Sequence, residues 1–159
     1  MNEFWKSKLL NAYKLREQLG LVSNKDTTVY RLVHAEGDGL PGLIIDIYGS
    51  TAVIQSHTLG MHEIKDFLSD ALKEIYGSKL NTIYDKSAES MAKQSMDVFS
   101  NSFLLGSDKD GVVNENGLQF YVNWEEGQKT GFFVDQRENR ELLSKYSSGK
   151  KVLNTCASS

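Results

Sequence analysis

The chain has 159 residues, 40% of them hydrophobic and 25% charged, with a formal net charge of −3. That is the length and composition of one ordinary globular domain with a real core, and no apolar run approaches the ~20 residues of a membrane helix. One proline, one cysteine and no charged-then-apolar leader exclude a proline-rich linker, an internal disulfide framework and a secretory signal, while the negative charge sets the chain apart from free-standing nucleic-acid binders, whose affinity comes from neutralising phosphates.

The segment from Phe4 to Gly20 predicts an amphipathic helix, with Trp5, Leu9, Ala12 and Tyr13 at helical spacing and Gly20 just past its end. Lys6, Lys8, Lys14 and Arg16 make its polar face mildly basic, which reads as a solvated face. Val29 to Val33, Leu43 to Tyr48 and Thr51 to His57 predict three strands, broken at Gly37-Asp38-Gly39 with Pro41-Gly42 and at Gly49-Ser50. Met61 to Tyr76 predicts a helix whose apolar stripe is Ile64, Phe67, Leu68, Ala71, Leu72 and Ile75. Thr82 to Asp85 predicts a short strand, and Ser87 to Met96 has weak helical character. Asn116-Gly117, between the alternating runs Gly111–Glu115 and Leu118–Trp124, predicts a two-residue hairpin with positive φ at both turn positions. Asp135 to Tyr146 predicts a last helix, capped by Asp135 and Glu138, with Leu142 and Leu143 as its apolar face. Val152 and Leu153 open a final strand. The fold class is α+β: a mixed sheet with flanking helices and a projecting β-hairpin, followed by the first βα elements of a Rossmann-like domain.

Several short patterns carry no chemistry. Asp108-Lys109-Asp110-Gly111 is similar to the opening of a calcium loop but lacks the later oxygen ligands and the terminal Glu, so it reads as a turn. His34, His57 and His62 have no metal-ligand spacing, and Cys156 has no base beside it. Glu36 to Gly42 is glycine-dense, but no Gly-Lys-Ser/Thr and no helix follows; it reads as a tight strand connection with unusual backbone angles. The densest polar cluster is Gln128 to Arg140, which brackets Phe132-Phe133-Val134. Two readings of it stand. Gln136, Arg137 and Arg140 hold a carboxylate or phosphate, or Asp135 and Glu138 cap a helix and the arginines are solvated.

The chain resembles the bacterial class I S-adenosylmethionine-dependent methyltransferases that make 5-methylcytosine in large-subunit ribosomal RNA. Three stretches carry the resemblance: Tyr30 to Asp46 with its Glu36–Gly42 centre, Asn116 through Gln128 to Arg140, and Lys151 to Thr155. The resemblance implies a central α/β domain with a hairpin over residues 1–124 and the truncated start of a methyltransferase domain over 125–159. It further implies that an RNA-binding domain, the Gly-Gly cofactor turn, the Asp-Pro-Pro motif and the catalytic cysteines lie outside this chain; a frameshift, an early stop or a cloned fragment would each produce this. It assigns no catalytic residue, and it places Lys129, Thr130, Gly131, Asp135, Gln136, Arg137 and Asn154 on the cofactor or target-base side of the pocket.

The implied cofactor is S-adenosylmethionine in the full-length family, not bound by this fragment alone; the implied partner is ribosomal RNA, with no metal and no membrane, in the cytoplasm. Two alternatives accompany the fragment reading: a stand-alone RNA-binding or ribosome-assembly module, and an oligomerising domain. In the last, Phe132, Phe133, Val134, Leu142, Leu143, Val152 and Leu153 lack a covering sheet, and they drive a homodimer or fold back on the central domain.

Overall fold

A computed structural model describes residues 2–93 and 96–153. Five strands form one mixed sheet in sequential order: β1 (Val29–His34), β2 (Leu43–Tyr48), β3 (Thr51–Ser56), β4 (Thr82–Asp85) and β5 (Ser102–Leu105). The β1–β2, β2–β3 and β4–β5 pairs are antiparallel. The β3–β4 pair is parallel, which demands a crossover. Helices α2 (Leu59–Glu63) and α3 (Lys65–Tyr76) supply it.

Strand alternation sorts the side chains to two faces. Leu43, Ile45 and Ile47 of β2 and Ala52 and Ile54 of β3 meet the long first helix α1 (Asn2–Gln18) and α3 in one core. A register shift between Arg31 and Val33 brings Leu32 and Val33 of β1 into the same core. On the other face Val29, Tyr48, Val53 and Tyr84 form a second core with Val113, Val122 and Trp124. These come from the hairpin of β6 (Asp110–Glu115) and β7 (Leu118–Asn123) and the residue after it. Asn116 and Gly117 both take positive φ, 50° and 77°, as the two-residue turn requires. The hairpin tip is fastened: Gly117 donates its amide to the Asp26 carbonyl at 2.9 Å, and Asn116 donates its own to the Thr27 hydroxyl at 3.1 Å.

The expected strands β1 to β4 and the hairpin stand within a residue or two of their predicted bounds. The predicted helix over Met61–Tyr76 is two helices, since Thr58 caps α2 at the Met61 amide and the chain breaks at Ile64. On either side of the break, Lys65 and His62 face the buried Asp85 carboxylate at 3.2 Å and 3.6 Å. The weakly helical stretch is the short α4 (Ala88–Ala92). Strand β5 has no counterpart in the sequence reading.

Three expectations are corrected. Arg16 is not part of a solvated face: it is buried, and its guanidinium forks onto both oxygens of Asp38, with 2.7 Å from Nη2 to Oδ2. Asp135 caps nothing. A 3-10 turn over Val134–Gln136 precedes the last helix α5 (Arg137–Ser147), whose N-cap is Gln136 with no side-chain cap bond. Lys151–Leu153 lie in no strand and are exposed; the remainder of that expected strand, with Cys156, lies outside the described residues. The apolar stub folds back in part, one of its two expected versions: Phe132 and Val134 pack on the second core, while Leu142, Leu143 and Tyr146 remain exposed. No helix among the described residues is long and apolar enough to cross a membrane.

The Arg16–Asp38 pair makes a prediction. Burial works to raise the Asp38 carboxyl, but the Arg16 fork and the His34 amide outweigh it and hold it below the usual carboxylate range. A depressed folded-state value adds stability that is present above the unfolded value and lost as pH falls through the folded one. Asp38→Asn strands a buried guanidinium and lowers unfolding free energy by about 3 kcal/mol at neutral pH. The gap to wild type narrows as urea titrations are taken toward pH 2. A gap independent of pH would refute the assignment.

Candidate functional site

Strand β2 reads Leu-Ile-Ile-Asp-Ile-Tyr, one acid in an apolar run. Asp46 is fully buried, and such a charge requires partners. Arg31, its neighbour in the β1–β2 register, supplies a fork at 2.8 Å and 3.0 Å. The third donor comes from far along the chain. The Thr130 hydroxyl donates to Asp46 Oδ2 at 2.6 Å and lies 2.7 Å from the Tyr48 hydroxyl. Because Thr130 spends its proton on Asp46, Tyr48 donates to Thr130, and the order runs Tyr48 to Thr130 to Asp46. Burial and the Asp46 charge raise the Tyr48 phenol far above its ordinary value, which keeps it a donor.

This relay pins the stretch after the hairpin to the sheet. Lys86, just past β4, pins its beginning by donating to the carbonyls of Trp124, at 2.7 Å, and Gly127. Burial pulls the Lys86 ammonium below its usual value. Trp124 stacks on Tyr48 at 6.0 Å between ring centroids and donates its indole N–H to the Asp108 carbonyl at 2.6 Å. Gly131, at φ 122°, has no room for a side chain: a Cβ there would lie 2.8 Å from Trp124 Cα. The close approach seen here is to its own chain.

The sequence-predicted residues therefore divide. Thr130 and Gly131 are internal. Arg137 donates to the Val29 carbonyl and lies 3.6 Å from Glu115. Arg140 forks onto the buried Glu115 carboxylate at 2.6 Å and 2.8 Å, with its guanidinium 4.2 Å from the Phe132 ring. Both open readings of the arginines thus give way to a third: they hold a carboxylate, and it is the protein's own. Lys129, Asp135 and Gln136 are exposed. Lys129, at φ 53°, pairs weakly with Asp135 at 3.7 Å and sits 4.4 Å over the Phe133 ring. Gln136 accepts from Asn139 at 2.6 Å. Asn154 lies outside the described residues.

Lys129 and Gln128 form one lip of a cleft of ≈ 610 Å³ that the sequence did not announce. Its floor is Ile44 and Gln55, paired across β2 and β3, and its other walls are Arg31, His57, Glu89, Ser90 and Lys93. Burial, together with the positive charges of Lys93 and Arg31, pushes the His57 imidazole below its usual value against the pull of Glu36. Among the described residues no group of three or more His, Cys, Asp or Glu is placed to hold a metal ion. Of the residues named for S-adenosylmethionine, the Thr130 hydroxyl is engaged by Asp46 and Tyr48, a side chain at Gly131 would meet Trp124, and the Arg137 guanidinium reaches the Val29 carbonyl. The sequence signal for the relay was present, since a lone acid in a buried strand facing an arginine on the next strand announces a paired charge.

No family model matches the chain. Over 154 residues, 96% of the chain, it is 34% identical to ribosomal RNA large subunit methyltransferase I of Pseudoalteromonas atlantica and 38% identical to that of Aliivibrio fischeri. The chain spans 38% of the length of each of these relatives. Among solved structures, one of a Streptococcus mutans protein described as an S-adenosylmethionine-dependent methyltransferase matches with a TM-score of 0.76 at 24% identity, covering 92% of this chain and 36% of that one. Another, SMU.776, a methyltransferase complexed with SAH, matches with a TM-score of 0.73 over 89% of this chain and 35% of that one. At that identity the likeness is one of fold. The mixed sheet with flanking helices is thus a fold found within S-adenosylmethionine-dependent methyltransferases, and the sequence relatives are ribosomal RNA methyltransferases.

The relay predicts a graded mutational effect. Thr130→Val leaves one Asp46 lone pair and the Tyr48 hydroxyl unsatisfied and costs about 2 kcal/mol in urea unfolding, whereas Thr130→Ser keeps the hydroxyl and recovers most of it. A valine variant as stable as wild type would show that the hydroxyl is dispensable.

Proposed function

We propose that this chain forms part of an S-adenosylmethionine-dependent methyltransferase acting on large-subunit ribosomal RNA, with 5-methylcytosine as the product. The observation that carries the reading is identity of 34–38% to ribosomal RNA large subunit methyltransferases along 96% of the chain. In this reading residues 1–124 are a central domain and residues 125–159 open the methyltransferase domain.

What the chain contributes is positioning and contact. Cytosine-C5 methylation needs a thiolate that adds to the ring before the methyl group is taken, and the described residues contain no cysteine. The chain's part is to hold the Gln128–Gly131 turn and the Asp135–Arg137 stretch on the wall where cofactor and target base meet. Lys129, Asp135 and Gln136 present side chains there, with Asn154 assigned from sequence alone. Thr130, Gly131 and Arg137 set the backbone that presents them.

The test is genetic and chemical. Deleting the gene removes one 5-methylcytosine from the host's large-subunit ribosomal RNA in bisulfite sequencing. Loss of a different methylated nucleotide by mass spectrometry would keep the methyltransferase reading and overturn the cytosine-C5 one. An unchanged methylation map would overturn both.

A further inference from the structure

The large cleft between β3, α4 and the Gln128–Gly131 turn has cations from three separate elements on its walls. Arg31 comes from β1, Lys93 follows α4, and Lys129 sits in the turn. On other parts of the described surface Lys6, Lys73, Lys109 and Lys145 pair one to one with Glu74, Asp70, Glu125 and Glu141. The cleft cations differ in how they are held. Arg31 is fixed by its two bonds to Asp46. Lys93 pairs with Glu89 at 2.9 Å, but both side chains are largely exposed. Lys129 pairs with Asp135 only at 3.7 Å, with both about half exposed. Exposed pairs of this kind contribute roughly 0–1 kcal/mol, so either lysine exchanges its carboxylate for a phosphate at little cost. Two amides, Gln55 and Gln128, add donors and acceptors between the cations.

We infer that this cleft binds a nucleotide unit of an RNA strand, with Lys93 and Lys129 on phosphate oxygens and the amides of Gln55 and Gln128 on the edge of the base. The His57 imidazole on the same wall is lowered first by burial and then by the charges of Lys93 and Arg31. Glu89 is the opposing charge: the Lys93 hydrogen bond and charge hold its carboxyl below the ordinary value, and a phosphate that draws Lys93 away must tolerate the carboxylate left beside it. The choice of an RNA strand over a free nucleotide rests on the ribosomal RNA reading above; the phosphate and base contacts rest on the cleft.

The experiment is fluorescence anisotropy of a labelled single-stranded RNA decamer with the full chain across a salt series. Two phosphate contacts give a slope of log affinity against log salt near −1.4, at about 0.7 per contact on a single strand. Replacing both lysines, Lys93→Gln with Lys129→Gln, flattens the slope toward zero and weakens low-salt binding about tenfold. Glu89→Gln tightens binding about threefold. All three side chains are exposed, and unchanged thermal unfolding verifies that the fold is intact. A slope that survives the double lysine change places the RNA elsewhere and overturns the proposal, as does the absence of salt-dependent binding. Displacement of the RNA by inorganic phosphate or by a free mononucleotide at matched phosphate concentration identifies a simple anion or nucleotide site and overturns the strand assignment. Displacement by S-adenosylhomocysteine identifies a cofactor site and overturns the proposal as well. The gene-deletion result is independent: RNA bound here with an unchanged methylation map fails the methyltransferase reading alone, and a lost methyl group with no binding here fails this proposal alone.

Discussion

The arrangement turns on one buried charge. Asp46 sits in the middle of the sheet with no exposure, and an ionised carboxylate there is tolerable only with its hydrogen-bond capacity filled. Arg31 gives it two bonds from the adjacent strand, and Thr130 gives a third from 84 residues further along the chain. The charge thereby specifies where the Gln128–Val134 stretch must lie. No apolar contact could do this as sharply, because apolar packing tolerates small slides and a three-donor carboxylate does not.

What could be read from the sequence followed the range of the interaction. Strands β1 to β4 announce themselves through local alternation and β-branched residues, and the hairpin through Asn116-Gly117, whose positive φ values are a property of two adjacent residues. The missed features depend on partners distant in sequence. Strand β5 is a half-buried edge strand of four residues, recognisable only once Tyr84 is there for Phe103 to pack on. Asp135 and Glu138 have the spacing of a capping box, yet the 3-10 turn moved the N-cap to Gln136 and left Asp135 facing Lys129. Arg140 and Arg137 looked like ligand-binding arginines because their true partner, Glu115, lies 25 and 22 positions away on the hairpin. The site was legible as a cluster, but which members point out and which point in was not.

The surface electrostatics explain how an acidic chain accommodates a polyanion in the proposed role. Many of its cations are paired with neighbouring carboxylates, and the net charge of −3 offers a polyanion no long-range attraction. Any affinity for RNA then comes from a short list of loosely held lysines acting at contact distance. Such a surface favours selection at one spot over general adhesion.

The Glu115 carboxylate has a consequence for how the molecule comes apart. It is almost fully buried on the hairpin, yet its forked partner is on α5, and the Asn116 amide at the hairpin tip also reaches Glu141 of that helix. If α5 lifts away, a carboxylate is left in an apolar setting with no counter-charge, so partial detachment of the helix is costly at the first step. The last helix and the hairpin therefore open as one cooperative unit, although they adjoin only through a turn-rich connection and share no backbone ladder. A helix with an exposed apolar stripe is thus tied to the hairpin chiefly through one buried acid that both of its arginines face.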